Sequence, residues 1–222
     1  MPGAGGRGDR RGAAGPPLVG ARFIALEGID GSGKSTQARL LADALDERGV
    51  AVEVTREPGG TALGERVREL LLSGDPGTVS PVAEVHLFAA ARAQLVHEVI
   101  RPALDAGRWV VTDRFLDSSL AYQGGARGLG LDRVLEANRA AVEGCMPDLS
   151  LVIDMEPGAT RGRRRAQPDR IEAEGEAFLA KVAEGYRAVA ARFPERVVLV
   201  SGEGGVEDVH ARVMATVEGA FL

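Results

Sequence analysis

The run Gly28-Ile29-Asp30-Gly31-Ser32-Gly33-Lys34-Ser35-Thr36 sets glycines, a lysine and two hydroxyls at a spacing that can do chemistry. It matches G-x-x-x-x-G-K-[ST] in full, with an apolar strand pattern before it and a helical one after it. The glycines let the backbone bend so that successive amides point at phosphate oxygens. The helix that follows presents its positive N-terminal end to the same anion. In such a cradle Lys34 is expected to reach the β- and γ-phosphates and Ser35 to ligate Mg²⁺. The competing reading is an ordinary Gly-rich turn, which the full match and its context disfavour.

A phosphate cradle says nucleotide binding and leaves the reaction open. Two further strand ends carry polar residues. One reads Thr55-Arg56-Glu57-Pro58-Gly59-Gly60-Thr61 and the other Val110-Val111-Thr112-Asp113-Arg114. Asp113 directly follows apolar residues, where a carboxylate can face Mg²⁺ and its waters, and Arg114 can neutralise phosphate charge. A solvated Asp-Arg pair is the alternative. Phe88 and Arg92 stand at i and i+4, so they share one helix face. They could stack a base and hold its edge or phosphate. From spacing alone the plainer reading is favoured, with Phe88 in the core and Arg92 in solvent.

Residues 161–170 read Arg-Gly-Arg-Arg-Arg-Ala-Gln-Pro-Asp-Arg, five arginines within ten residues of a chain whose net charge is -5. Such a cluster repels itself unless an anion sits among its members. Gly162 and Pro168 suit a mobile segment better than a rigid helix. The expectation is a lid over about 157–172 that closes on ATP and lends a cation to the moving phosphoryl group. A solvated run or an RNA-binding patch is the alternative.

These residues need a scaffold to bring them together. Five short, continuous, apolar runs punctuate the chain: Phe23–Leu26, Val50–Val54, Trp109–Val111, Leu149–Ile153 and Val197–Val200. They read as strands buried on both faces of a parallel sheet. Helix-length patterns separate them, over Lys34–Arg48, Leu63–Leu72, Ala83–Leu104, Leu131–Glu143, Ala173–Phe193 and Val206–Ala220. Gly49, Gly74, Gly107 and Gly144 follow helical patterns, where a left-handed C-terminal residue is wanted. The alternation predicts an α/β fold. In such sheets ligands bind beyond the carboxyl ends of the strands, where the polar residues above fall.

The 222 residues suit one domain with one sizeable core. Residues 1–20, rich in Gly, Pro and Arg, have little to bury and read as a disordered tail, with the folded domain over 21–222. The acidic balance argues against nucleic acid as the main partner. No segment has the roughly 18 apolar residues of a membrane helix. The single Cys145 allows no intrachain disulfide, which fits a cytoplasmic protein.

With these motifs in this order, the chain resembles the bacterial thymidylate kinases across nearly all of residues 22–222. The resemblance rests on Gly28–Thr36, Arg56–Thr61, Leu87–Arg92, Asp113–Gly124 and Asp169-Arg170-Ile171-Glu172. It implies a P-loop kinase fold, a five-stranded parallel sheet with helices on both faces and an Arg-rich lid. It further implies ATP as co-substrate, Mg²⁺ as cofactor, dTMP as acceptor and a homodimer. Phe88 would stack on the thymine ring, Arg92 would bind its edge, and Gln123 and Ser119 would complete the hydrogen bonding. Tyr122 would lie under the sugar and crowd a 2′-hydroxyl. Arg114 and Arg68 would contact the acceptor phosphate, Glu57 would act near the metal and phosphates, and Asp30 would lie by the 3′-hydroxyl and phosphate. The lid would supply the catalytic arginine from among Arg161, Arg163 and Arg165. Ser119 stands where some members have Asn, and Phe115 where Tyr or His is usual, so no polar role is expected at Phe115. A deoxynucleoside kinase is the rival enzyme. A GTPase switch is disfavoured because no Asn-Lys-x-Asp string exists.

Overall fold

Five strands form at the five apolar runs and pair in parallel in the order β2-β3-β1-β4-β5. They are β1 (Phe23–Gly28), β2 (Val52–Arg56), β3 (Trp109–Asp113), β4 (Leu149–Asp154) and β5 (Val197–Ser201). The computed structural model describes residues 20–163 and 168–221, without the side chains of Arg161 and Arg163. The first residues of three sequence motifs, Gly28, Arg56 and Asp113, thus lie at the C-terminal ends of β1, β2 and β3, side by side. In register, Leu26 faces Asp113 and Arg56 faces Asp113 across the two neighbouring ladders.

The three central strands are continuous apolar runs because each face is covered. Side chains alternate along a strand. Phe23 and Ala25 join the larger core with Val110, Val152, Tyr122 and Tyr186. Ile24 and Leu26 join the second core with Leu41, Leu45, Val111 and Val213. Burial on both faces does not extend to the edges. Strand β2 is only partly buried and Val54 is 49% exposed, since β2 has one neighbour and little cover.

The helices are α1 (Lys34–Asp46), α2 (Ala62–Leu72), α3 (Pro81–Leu95), α4 (Arg101–Asp105), α5 (Leu116–Ser119), α6 (Leu131–Val142), α7 (Glu176–Arg192) and α8 (Val206–Phe221). Their starts follow local chemistry. Thr61 caps α2 by accepting from the Gly64 N–H at 2.9 Å, and Ser80 caps α3 ahead of Pro81. Gly49, Gly74, Gly107 and Gly144 all have φ between 75° and 84°, as their positions predict.

Two expected helices are interrupted. The stretch Ala83–Leu104 passes through a wider π turn at Val96–Ile100 before α4. Pro102 lacks the N–H that an α-helix would direct at Glu98, and the Arg101 N–H instead reaches back to Val96. The stretch Ala173–Phe193 breaks at Gly175, φ 87°, between a 3₁₀ turn at Glu172–Glu174 and α7. Sequence periodicity missed α5 and the π turn that continues it over Leu120–Ala126. At the expected lid, Pro157–Arg163 form a 3₁₀ turn, so Gly162 does not prevent helical winding there.

The π turn matters because α7 lies directly against it. A Cβ on Gly185 would sit 2.6 Å from the Ala121 carbonyl oxygen, and one on Gly125 would sit 3.1 Å from the Gly185 Cα. Helix propensity favours alanine over glycine by about 1 kcal/mol. Overpacking against backbone costs about 1–3 kcal/mol. Gly185→Ala should therefore lower unfolding free energy despite the propensity gain. Gly219→Ala on α8, where nothing lies within 4 Å of the added methyl, should be neutral or mildly stabilising. Urea titration of both variants tests this, and equal stability of the two would refute the close approach.

Candidate active site

The cradle is built as its sequence requires. Gly28, φ 139°, leaves room where a Cβ would meet the Ile153 carbonyl oxygen and Ser32 Oγ, both at 2.8 Å. Gly33, φ 95°, opens α1. Lys34 Nζ donates to the Ile29 carbonyl and to Asp30 Oδ1, both at 3.3 Å. Ser35 Oγ donates to Asp113 Oδ2, which joins the start of α1 to the end of the third strand. Asp113 Oδ1 is buried and unpartnered among the described residues. A hydroxyl beside a carboxylate oxygen with spare capacity, at a phosphate cradle, fits a hard divalent cation such as Mg²⁺. Among the described residues no cluster of three or more His, Cys, Asp or Glu side chains could hold a metal alone, so phosphates would have to complete the coordination.

One strand over, Arg114 is held in the left-handed region at φ 75°. A non-glycine residue there is strained, and such strain persists only where surroundings over-determine it. Arg114 Nη2 donates to Asp30 Oδ1 at 2.6 Å and to Tyr122 Oη at 3.1 Å, and Nη1 donates to Ser118 Oγ at 2.9 Å and Tyr186 Oη at 3.0 Å. Tyr122 Oη also donates to Asp30 Oδ2 at 3.1 Å. Burial alone would raise the Asp30 carboxyl, but the Arg114 guanidinium and then Lys34 outweigh it and hold the group well below the usual carboxylate range. Burial pushes the phenols of Tyr122 and Tyr186 up, so both keep the protons they donate.

Behind Arg114 stands a residue that motif reading did not single out. Glu27 lies on the same face of β1 as Phe23 and Ala25 and is fully buried. Its carboxyl accepts from the Phe115 N–H at 2.8 Å, Ser118 Oγ at 2.5 Å and Tyr186 Oη at 2.9 Å. It thereby ties the loop after β3 to β1 and α7. The available signal was a lone carboxylate in an apolar strand just before the cradle. Tyr186, on a helix far along the chain, had none.

Next to Arg114 opens a cavity lined by Phe88, Ser119, Tyr122, Gln123, Arg68 and Glu57, among others. It shares Asp30, Glu57, Arg68 and Arg114 with a cleft of about 830 Å³ that reaches Lys34, Ser35 and Asp113. That size lies within the range of small-ligand sites, ~300–1,000 Å³. The cleft in turn shares Asp30, Lys34 and Ser35 with the space over Gly31, Ser32, Gly33 and Thr36. Most of the residues expected from sequence to serve donor and acceptor thus line spaces that share walls with one another.

Arg92 is placed differently from a solvated side chain and from a cavity wall. It is 1% exposed, does not line the cavity, and grips two residues that do. Its Nη2 donates to Glu57 Oε2 at 2.5 Å and Ser119 Oγ at 3.2 Å, while Nη1 contacts Asn138 Oδ1 and the guanidinium lies over the Phe115 ring. Burial raises the Glu57 carboxyl although Arg92 opposes it. Glu57 Oε1 is buried without a partner among the described residues. Arg68 Nη1 donates to the Pro58 carbonyl at 2.9 Å, beside the cis Glu57–Pro58 bond. Asp169 and Ile171, near the end of the stretch expected as a lid, line the same cavity. Arg165 lies outside the described residues, as do the side chains of Arg161 and Arg163.

Burial, and then the charge of Asp117, push the Glu27 carboxyl from an ordinary 4.5 up to about 7. Between those values the folded chain binds more protons than the unfolded one, so this group's contribution to stability falls as pH rises. It is fully present below about 4.5 and lost as pH passes about 7. Glu27→Gln copies the protonated acid. Its stability relative to the parent should improve by on the order of 2 kcal/mol between pH 5 and pH 8. Urea midpoints at both pH values measure this, and a constant difference would show that Glu27 does not titrate in that window.

A family model described as thymidylate kinase matches residues 26–213. A curated thymidylate kinase of Caldanaerobacter subterraneus subsp. tengcongensis is 48% identical over 198 residues, 89% of this chain and 95% of the relative. One from Synechococcus sp. (strain JA-2-3B'a(2-13)) is 49% identical over 196 residues, 88% and 94% of the two chains. The crystal structure of thymidylate kinase from Ehrlichia chaffeensis superposes with a TM-score of 0.73 at 32% identity, covering 90% of this chain and 99% of that one. A match of this breadth over the cradle, the Asp-Arg loop and the acceptor cavity assigns the chain to the thymidylate kinase family.

Proposed function

We propose that the enzyme transfers the γ-phosphoryl group of ATP to dTMP, giving dTDP and ADP in the supply of dTTP. The observation that carries this reading is the run of spaces sharing walls from the Lys34 cradle, past the Asp30–Arg114 pair, to a cavity walled by Phe88, Tyr122 and Gln123. A donor triphosphate at one end and a pyrimidine monophosphate at the other would meet at Arg114.

The transfer needs positioning and charge neutralisation more than covalent chemistry. Lys34 would bind the β- and γ-phosphates of ATP. Arg114, fixed on four partners, would bind the acceptor phosphate with Arg68. The acceptor phosphate is already an anion, so no strong general base is required. Asp30 stays ionised and orients Arg114 and Tyr122. Glu57, held by Arg92, faces the acceptor side of the cleft. Ser35 and Asp113 would hold Mg²⁺, which when bound neutralises charge on the phosphates of ATP. Arg161, Arg163 and Arg165 would bring further positive charge on a closing lid and exclude water. The resemblance also supports a cytoplasmic homodimer. Among the described residues no helix is long and apolar enough to cross a membrane.

Acceptor choice tests the assignment. In an ADP-release assay with ATP, turnover should fall in the order dTMP, dUMP, ribose monophosphates, with purine monophosphates inactive. A thymine methyl adds only about 1–3 kcal/mol in an apolar pocket, so dUMP should be slower and still active. Thymidine itself should not react, which separates the enzyme from a deoxynucleoside kinase. Phosphorylation of AMP or GMP at the dTMP rate would remove the assignment. On the donor side, Lys34→Ala should keep the fold and lose roughly 10²–10³-fold or more in kcat. Normal turnover by a folded Lys34→Ala protein would overturn the donor site.

A further inference from the structure

The cavity contains a hydrogen-bonding group whose orientation is set from outside it. Gln123 is 1% exposed and lines the cavity. Its Nε2 donates to Glu84 Oε1 at 2.8 Å, and its Oε1 is buried without a partner among the described residues. Glu84, also 1% exposed, stands in the first turn of α3 and does not line the cavity.

Glu84 can only accept at that contact. Arg170 Nη2 donates to its Oε2 at 2.6 Å, and Arg127 donates to Oε1 at 3.3 Å and to Oε2 at 3.4 Å. A carboxylate between two guanidinium groups offers lone pairs and no proton. An amide turned the other way would set the Gln123 oxygen against the Glu84 oxygen and lose a buried hydrogen bond, at about 1–3 kcal/mol or more. The carboxylate therefore fixes which end of the amide stays free, and that end is an acceptor.

We propose that Glu84 is a positioning residue for acceptor specificity, holding the Gln123 amide so that the cavity demands a hydrogen-bond donor on the ring edge of the base. A pyrimidine with a protonated ring nitrogen, thymine or uracil, meets that demand. Cytosine presents a lone pair at the same ring position. A buried acceptor facing a lone pair is rejected far more strongly than a missing methyl group. The proposal rests on the thymidylate kinase reading and adds to it the origin of discrimination between pyrimidines.

In Glu84→Gln, residue 84 can donate as well as accept, so the Gln123 amide is free to turn over. The ratio of kcat/KM for dTMP to that for dCMP should fall at least about tenfold relative to the parent. A pocket that was merely loosened would lose both substrates alike and leave the ratio unchanged. Arg127→Ala removes a neighbour of Glu84 and leaves the Glu84–Gln123 bond, so its ratio should match the parent. If Glu84→Gln does not fold, Glu84→Asp keeps the charge that Arg170 needs, shortens the reach to Gln123, and gives the same readout. A ratio within about twofold of the parent in the folded Glu84 variant, or an equal fall in Arg127→Ala, overturns the proposal. A parent enzyme inactive on dTMP would instead overturn the thymidylate kinase reading itself.

Discussion

The Asp30–Arg114 ion pair joins the two halves of the cleft, and most of the site is arranged around it. Asp30 belongs to the phosphate cradle after β1, and Arg114 to the loop after β3. Neither residue could hold this position alone. Arg114 sits at a positive φ, which an L side chain adopts only when several contacts compel it. The compulsion comes from Asp30 in front, Ser118 and Tyr186 behind, and Glu27 beneath them, anchored in the sheet. The Arg114 guanidinium is thus tied through Ser118, Tyr186 and Glu27 to the central strand β1.

Two other arginines are buried on carboxylates, Arg92 on Glu57 and Arg170 on Glu84, and the partly buried Arg196 pairs with the buried Asp117. Buried ion pairs are weak sources of stability, because desolvation offsets most of the attraction. Losing one partner is expensive all the same, since it leaves the other charge uncompensated. Their common feature here is location. Arg92 steadies Glu57 and Ser119 in the cavity wall, Arg170 fastens its own segment to α2 and α3, and Arg196, just before β5, clamps the start of α5. Such pairs define geometry at the site more than they hold the fold together. The fold itself rests on the two apolar cores flanking β1, β3 and β4.

Much of this was legible in the chain because it depends on local rules. Five apolar runs became five parallel strands, and the glycines after helices took left-handed conformations. The cradle was readable because a phosphate-binding loop requires particular residue types at fixed spacing. What escaped depended on contacts distant in sequence. Nothing local distinguishes Glu84 in the first turn of α3 from an acidic residue that favours a helix N-terminus. Its partners Gln123, Arg127 and Arg170 lie 39, 43 and 86 residues away. Spacing placed Arg92 on the same helix as Phe88, yet only the tertiary structure shows it turned to Glu57 behind the cavity wall. The π turn at Leu120–Ala126 was hidden because periodicity analysis assumes 3.6 residues per turn.

That π turn brings the two sides of the acceptor site into one element. It carries Tyr122, which touches Arg114 and Asp30, and Gln123, which touches Glu84, on consecutive residues. In an ordinary α-helix neighbouring side chains diverge by about 100° around the axis. A wider turn has more residues per revolution and brings consecutive side chains closer in direction. Both residues can then border the same cavity while answering to different anchors, Tyr122 to Arg114 and Asp30 and Gln123 to Glu84. Gly124 and Gly125 permit the winding to continue where α6 and α7 press in, with added Cβ atoms meeting Leu131 and Gly185 at 3.1 Å. The glycine pair Gly124-Gly125 is therefore what allows one short segment to set Tyr122 and Gln123 side by side in the cavity wall.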